Sequence, residues 1–399
     1  MSTTSDSGPD RFLPLSEPCL EGNEWKYVKE CLDSGWISSV GAFVTRFEEN
    51  IAGYVGAKHG VATVNGTAAL HTALLVAGVE PGDEVLVSTL TFIASANAIR
   101  YAGAHPVFID AEPQYWQMDP DLVSDFLRTR CIWSNGQLKN RSTGRRIKAI
   151  MPVHVLGHPV DLDPIYDEAA KFGLRVIEDS AESLGASYQG RRIGATADLA
   201  CISFNGNKTI TCGGGGMIVT NSQADADRAR YLTTQAKDDP TEYIHNEVGY
   251  NYRMTNVLAA IGLAQLEQLD SHVDRRRKIA DYYRSRLAMP GFRWHCDSGK
   301  ARSTSWLSTV LLDPVQTGVT AVELRNRLAA YQIQTRRLWQ PMHQSPAHQG
   351  CQVMLNGTAD LLFENALSFP SSPSLTGDDL MRVSDRVLDS IPVRMRRAG

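Results

Sequence analysis

The chain has 399 residues, of which 43% are hydrophobic and 21% charged, and a formal net charge of -4. That balance belongs to an ordinary globular protein rather than a disordered one, and it offers no basic footprint for nucleic acid. Because a single core stops growing near ~250–300 residues, two packed domains are expected.

The polar opening, residues 1–12, reads as a flexible N-terminus and lacks the apolar core of a signal peptide. Nowhere do about 18 apolar residues run unbroken, so no membrane span is expected. Cys19, Cys31, Cys131, Cys201, Cys212, Cys296 and Cys351 are odd in number and scattered, with no C-x-x-C pair and no histidine cluster. A reducing, cytoplasmic setting without a structural metal is the expectation.

Trp25, Val28 and Cys31 recur at helical spacing before Ser34-Gly35, which predicts a short helix, and a second begins near Val44 and runs to Tyr54. From Val61 onward, apolar strand-like runs alternate with helical stretches such as 163–172. The runs are 85–88, 106–110, 149–155, 175–179, 199–204 and 217–220. Most are apolar on both faces, as in a mostly parallel sheet covered on both sides. The last two lie too close for a helical crossover, so the sheet should be mixed. A long helix starts after Thr255, continues toward Leu287 and links a large domain (13–260) to a smaller C-terminal α+β domain (261–399). Within it, Arg275-Arg276-Arg277-Lys278 reads as a solvated face.

Four segments could carry chemistry. Asn65-Gly66-Thr67 opens a helix after a strand, either as a plain cap or as a phosphate site built on free N–H groups and the Thr67 hydroxyl. Asp179 closes an apolar strand, where open α/β sheets put ligand-contacting groups, though acids there also cap helices. Lys208 leaves the turn Ser203-Phe-Asn-Gly-Asn207; it is either a surface lysine or, if desolvated, an amine able to form an imine. Gly213 to Gly216 precede a strand rather than a helix, so they are not a dinucleotide fingerprint. They let the backbone pass close to a cofactor or a partner subunit.

Taken in order, Gly35-Trp-Ile-Ser-Ser39, Asn65-Gly-Thr-Ala-Ala-Leu70, Thr91-Phe-Ile-Ala-Ser95, Glu178-Asp-Ser-Ala-Glu182, Ser203-Phe-Asn-Gly-Asn-Lys208 and Gly249-Tyr-Asn-Tyr-Arg-Met254 resemble the DegT/DnrJ/EryC1/StrS family of sugar aminotransferases. The resemblance spans nearly the whole chain. It implies an α/β fold of the type I, aspartate aminotransferase-like class and pyridoxal 5'-phosphate as cofactor. It makes Lys208 the Schiff-base lysine and Asp179 the partner of the pyridine nitrogen. Gly66, Thr67 and Ser203 match phosphate ligands, Phe92 an aromatic ring beside the pyridine face, and Asn205 a further cofactor contact. Asn251 matches a residue that reaches the cofactor of a neighbouring subunit, which implies a homodimer with shared sites. Arg253, Trp339 and His343 are implied substrate contacts.

The chain departs from the common pattern at Glu182, where Gln or His usually meets the cofactor's phenolic oxygen. It departs again at Thr211-Cys-Gly-Gly-Gly-Gly216 and at Arg337, where proline is usual. The first two departures, with Asn205-Gly-Asn207, resemble the branch that aminates UDP-linked 2-acetamido-4-keto-6-deoxy sugars, including legionaminic acid pathway enzymes. The implied reaction moves an amino group from glutamate to the C4 ketone of such a sugar. Two rivals are a pyridoxamine-phosphate-dependent sugar dehydratase, against which Lys208 speaks because that branch has His there, and a non-catalytic regulator.

Overall fold

The structure is a computed structural model that describes residues 11–239 and 241–392. Residues 1–10 of the expected flexible N-terminus lie outside the described residues. From Arg11 the chain is tied down: Arg11 forms an ion pair with Asp379 at 2.7 Å, and Leu13 forms a bridge with Ile333.

Eight strands form the main sheet: β1 (His59–Thr63), β2 (Glu84–Ser88), β3 (His105–Ile109), β4 (Ile147–Met151), β5 (Arg175–Asp179), β6 (Leu199–Ser203), β7 (Gly216–Thr220) and, far along the chain, β11 (Val353–Met354). Their spatial order is β1-β7-β6-β5-β4-β2-β3-β11. Only β7 runs against its neighbours; every other pairing is parallel. The expected mixed sheet is therefore present. The connection from β6 to β7 contains no helix, so it does not make the crossover that a parallel return uses, and β7 comes back antiparallel.

Helices α1 (Glu24–Ser34), α2 (Ala42–Val55), α3 (Gly66–Val76), α4 (Ala94–Tyr101), α5 (Leu162–Phe172) and α6 (Gln223–Thr233) accompany this sheet. Helix α3 shows why it is buried: Ala68 through Leu74 are all enclosed, with almost no polar face. A second, four-stranded antiparallel sheet has the order β8-β9-β12-β10. These strands are β8 (Phe292–Trp294), β9 (Ser308–Leu312), β10 (Arg336–Arg337) and β12 (Ala366–Phe369).

The long helix expected after Thr255 is two helices, α7 (Asn256–Leu266) and α8 (Leu269–Arg286), parted at Gln268 with φ -112° and ψ 0°. No glycine or proline announces the break. Tertiary bonds hold it, since the Glu267 carboxylate accepts from the Tyr27 hydroxyl at 2.6 Å and the Asn23 amide at 2.7 Å. Residue 261, the expected domain start, falls inside α7. Ala259, Ala260 and Leu263 pack with α2 in the larger lobe, whereas Ile279, Tyr283 and Leu287 pack in the smaller core. Leu13 joins that smaller core from the N-terminal side, and β11 returns to the large sheet.

The basic run on α8 is not a uniformly solvated face. Arg276 lies on the buried stripe that includes Val273, Ile279 and Ala280, and is 1% exposed. Its Nη1 donates to the carbonyls of Trp306 and Ser371, each at 2.8 Å, and its Nη2 to Ser16 Oγ at 3.3 Å. Burial pulls the guanidinium down to about 10. Methionine at this position would keep an apolar stem in the buried stripe, stop short of the guanidinium and provide no donor. With about 1–3 kcal/mol for each buried carbonyl left without its donor, Arg276→Met is expected to lower the urea midpoint clearly, and Arg276→Lys by less. An unchanged midpoint would show these bonds to be dispensable.

Candidate active site

The parallel strands end on one edge of the main sheet, and there the chain encloses a cavity of 410 Å³. Asp179 reaches it from the end of β5, Ser203 from the end of β6, and Gly66 and Thr67 from the start of α3. Lys208 and Asn205 come from the turn after β6, Glu182 from the turn after β5, and Trp339 from the segment after β10.

Asn65 caps α3 by accepting from the Ala68 N–H at 2.7 Å, which leaves the first-turn N–H groups of Gly66 and Thr67 without an intrahelical acceptor. Glycine is required at 66, because a Cβ there would lie 2.8 Å from Ser203 Cβ. Glycine is likewise required at 216, where a Cβ would sit 2.5 Å from the Asn65 carbonyl oxygen. Helix start, serine and glycine turn are thus drawn tightly together into an anion cradle.

Two buried carboxylates and one partly buried ammonium stand beside that cradle. Asp179 Oδ2 accepts from Ser95 Oγ at 2.6 Å and Oδ1 from the Ala181 N–H at 3.1 Å. Glu182 Oε1 accepts from Lys208 Nζ at 3.2 Å and Oε2 from the Leu156 N–H at 2.9 Å. Desolvation pushes both carboxyls above their usual range; Ser95 and Ala181 oppose this at Asp179, and Lys208 and Leu156 at Glu182. Lys208 Nζ also lies 4.3 Å from the centroid of the Trp306 ring, which stacks on Trp339 with centroids 6.3 Å apart.

This arrangement suits pyridoxal phosphate. The cradle takes a phosphate, Lys208 supplies the amine, and Asp179 is a buried carboxylate bonded to a hydroxyl and an amide but, among the described residues, to no cation. A protonated ring nitrogen is the group that would balance it.

Other expected residues stand elsewhere. Phe92 lines the cavity and is 56% exposed, so it marks an open side. Asn251 is exposed, forms a bridge with Thr234, and does not line the cavity of its own chain. Arg253 forms an ion pair with Glu48 and donates to the Ala62 carbonyl at 3.2 Å, so its charge is spent behind β1 rather than on a substrate. His343 Nδ1 lies 2.8 Å from Thr89 Oγ1 and its Nε2 3.0 Å from Asp360 Oδ1. With both nitrogens engaged outside the cavity lining, His343 has none left for a sugar hydroxyl.

Sequence reasoning missed four contributors. Ser95 sat inside a quoted segment, but its bond to Asp179 spans 84 residues of chain. Trp306 carried no local signal. Its Nε1 donates to the Asn207 carbonyl at 2.7 Å, as Ser16 Oγ does at 3.1 Å, and both steady the turn before Lys208. Arg336 lines the cavity, and its side chain has no hydrogen bond, ion pair or ring contact among the described residues.

An acid whose folded pKa exceeds its unfolded value binds protons more readily in the folded state. Its ionisation therefore costs stability progressively as pH rises from near 3.8 through the folded value. The Asp179→Asn protein without cofactor is expected to melt about 2 °C or more above the wild type at pH 7. Pyridoxal phosphate should reverse the order, because only the carboxylate answers the ring charge. Melts in which the variant gains equally with and without cofactor would assign Asp179 a purely structural part.

The sequence profile of the DegT/DnrJ/EryC1/StrS aminotransferase family matches residues 18–388. GDP-perosamine synthase of Escherichia coli O157:H7 is 40% identical over 94% of this chain and 98% of its own length. GDP-perosamine synthase of Caulobacter vibrioides is 40% identical over 93% and 96%. Among solved structures, S. venezuelae DesV in complex with a ketimine intermediate superposes with a TM-score of 0.82 at 32% identity, covering 94% of this chain and 95% of that one. A partly buried lysine beside an anion cradle and a strand-end aspartate, on this fold and across this extent of similarity, place the chain in the DegT/DnrJ/EryC1/StrS family of pyridoxal-phosphate-dependent sugar aminotransferases.

Proposed function

We propose that this protein transfers the amino group of glutamate to the C4 ketone of a nucleotide-linked 6-deoxy sugar, for a bacterial surface polysaccharide. The observation that carries the reading is Lys208, held beside Glu182 within one cavity that also contains Asp179 and the α3 anion cradle. Pyridoxal phosphate, when bound, supplies the electron sink. Gly66, Thr67 and Ser203 would hold its phosphate, and Asp179 would keep its ring nitrogen protonated. Lys208 Nζ, released from the cofactor, takes the proton from the amine-bearing carbon of the donor. In the second stage it delivers a proton to the sugar carbon that receives the amine.

Both substrates are anions, one with two carboxylates and the other with a diphosphate, and Arg336 brings to the cavity wall a guanidinium without a partner among the described residues. The Trp306–Trp339 pair offers a flat apolar wall beside it. A sugar dehydratase of this family has no use for the lysine, and a regulator would gain nothing from three ionisable groups desolvated in one cavity.

The resemblance of particular motifs pointed to a UDP-linked 2-acetamido sugar. Two relatives at 40% identity are named GDP-perosamine synthase, so we put a GDP-linked 4-keto-6-deoxy sugar first and the UDP sugar second. Incubation with glutamate and a panel of GDP- and UDP-linked 4-keto sugars, followed by mass and NMR analysis, is expected to give an amino sugar and 2-oxoglutarate. In Lys208→Ala both products should disappear. Consumption of glutamate with no amination of any 4-keto sugar would overturn the substrate class.

The protein acts as a homodimer, with Asn251 of each chain completing the cavity of the other. Asn251 is exposed and away from its own cavity, Phe92 leaves that cavity open on one side, and Tyr243, Ile244 and Val248 expose apolar surface shortly before Asn251. Mixing inactive Asn251→Ala and Lys208→Ala chains under subunit exchange is expected to restore part of the activity, since a mixed dimer contains one intact site. Exchanged mixtures that stay inactive would remove Asn251 from the partner's site.

A further inference from the structure

The turn around Glu182 is built more elaborately than a cofactor contact requires. Its Oε2 is met by the N–H of Leu156, a fully buried residue held at φ 59° and ψ 16°. A leucine in this left-handed region is strained, and such strain persists only where the surroundings impose it. Gly157 follows at φ 78°, and a Cβ there would sit 1.9 Å from Thr304 Oγ1 and 2.7 Å from the Glu182 carbonyl oxygen. Thr304 closes the arrangement: its Oγ1 donates to that carbonyl at 3.1 Å, and its N–H donates to the Gly157 carbonyl at 3.1 Å. A strained turn therefore clamps one carboxylate whose ionic partner is Lys208 Nζ, 3.2 Å away.

On the reading given under Proposed function, the amino donor arrives as an ammonium, and the exchange on the cofactor leaves one proton more than a neutral Lys208 can carry. That proton has few places to go. Asp179 has both oxygens engaged and faces the ring nitrogen in the proposed arrangement. His154 lies 3.3 Å from Glu178 Oε2 through Nε2, and its Nδ1 already accepts from the Val160 N–H at 3.1 Å. Glu182 Oε1 alone of these touches the lysine nitrogen.

We propose that Glu182 is the proton store of Lys208, taking a proton from the lysine ammonium so that the neutral amine can attack the substrate C–H, and returning it when the lysine rejoins the cofactor. One N–H bond breaks and one O–H bond forms; no electrons change hands, and two opposite charges become none. The surroundings bring the transfer within reach. Both partners are largely desolvated and the Asp179 carboxylate repels a second negative charge, which narrows the gap between the resting ion pair and the neutral pair. Glutamine in the same clamp would accept the lysine hydrogen bond but could not take its proton.

The test uses the purified full-length protein. In single-turnover reactions with glutamate, followed by the cofactor's absorbance, Glu182→Gln is expected to slow the step about 100-fold while borohydride still traps the cofactor on Lys208. Glu182→Ala should be slow too, and formate should restore its rate in proportion to concentration while leaving the wild type unaffected. A second readout needs no amino donor. In the cofactor-free protein, the pH midpoint for acylation of Lys208 should fall in Glu182→Gln, because the ammonium has lost its carboxylate. A wild-type rate in Glu182→Gln, absence of formate rescue, or an unmoved acylation midpoint would each overturn the proposal. Failure of every sugar in the panel, with the glutamate step and the midpoint shift intact, would overturn the substrate reading alone.

Discussion

Desolvated charge is the constraint on which the rest of this molecule depends. Asp179, Glu182 and Lys208 are drawn out of water at the ends of adjacent strands, with one positive charge for two potential negative ones. Burying a carboxylate without a cation costs several kcal/mol, so the sheet, the turn at Leu156 and the Ser95 hydroxyl all serve to make that burial tolerable until a cationic ring arrives. Much of what looks like ordinary architecture around the cavity is the support of this imbalance. The parallel strands bring the acids to one edge, and the antiparallel step into β7 turns the glycine run back toward the same edge.

A second buried cation keeps the assembly in register. Arg276 joins α8 to the carbonyls of Trp306 and Ser371 and to Ser16, while Trp306 and Ser16 each donate to the Asn207 carbonyl. The residue before Lys208 is thereby fastened to the N-terminal segment and to the smaller core. The lysine's backbone is set by contacts from three distant parts of the chain, so the amine is positioned before any cofactor enters. Preorganisation of this kind spares the binding step the cost of ordering a loop.

Arginine appears here in opposite roles that composition cannot separate. Arg276 is enclosed and held by carbonyls through Nη1, Arg253 is neutralised by Glu48, and Arg336 on the cavity wall has no partner among the described residues. All three occur in polar-looking stretches of sequence. Only Arg336 retains a charge to offer an anionic substrate, and what distinguishes it is the set of neighbours that folding supplied.

The sequence by itself determined a great deal. Apolar runs of strand length placed β5 at its observed bounds and β6 within a residue of them, and ordered motifs identified the family. They also singled out Asp179 and Lys208, because chemistry at a strand end and in a glycine turn needs particular residue types at particular local positions. Tertiary structure alone decided the rest. The break between α7 and α8, the burial of Arg276, the bond from Ser95 to Asp179, the Trp306 wall and the engagement of His343 by Thr89 and Asp360 all join residues far apart in the chain. Periodicity and local motif encode what a segment presents, whereas the partner that receives it is chosen by packing.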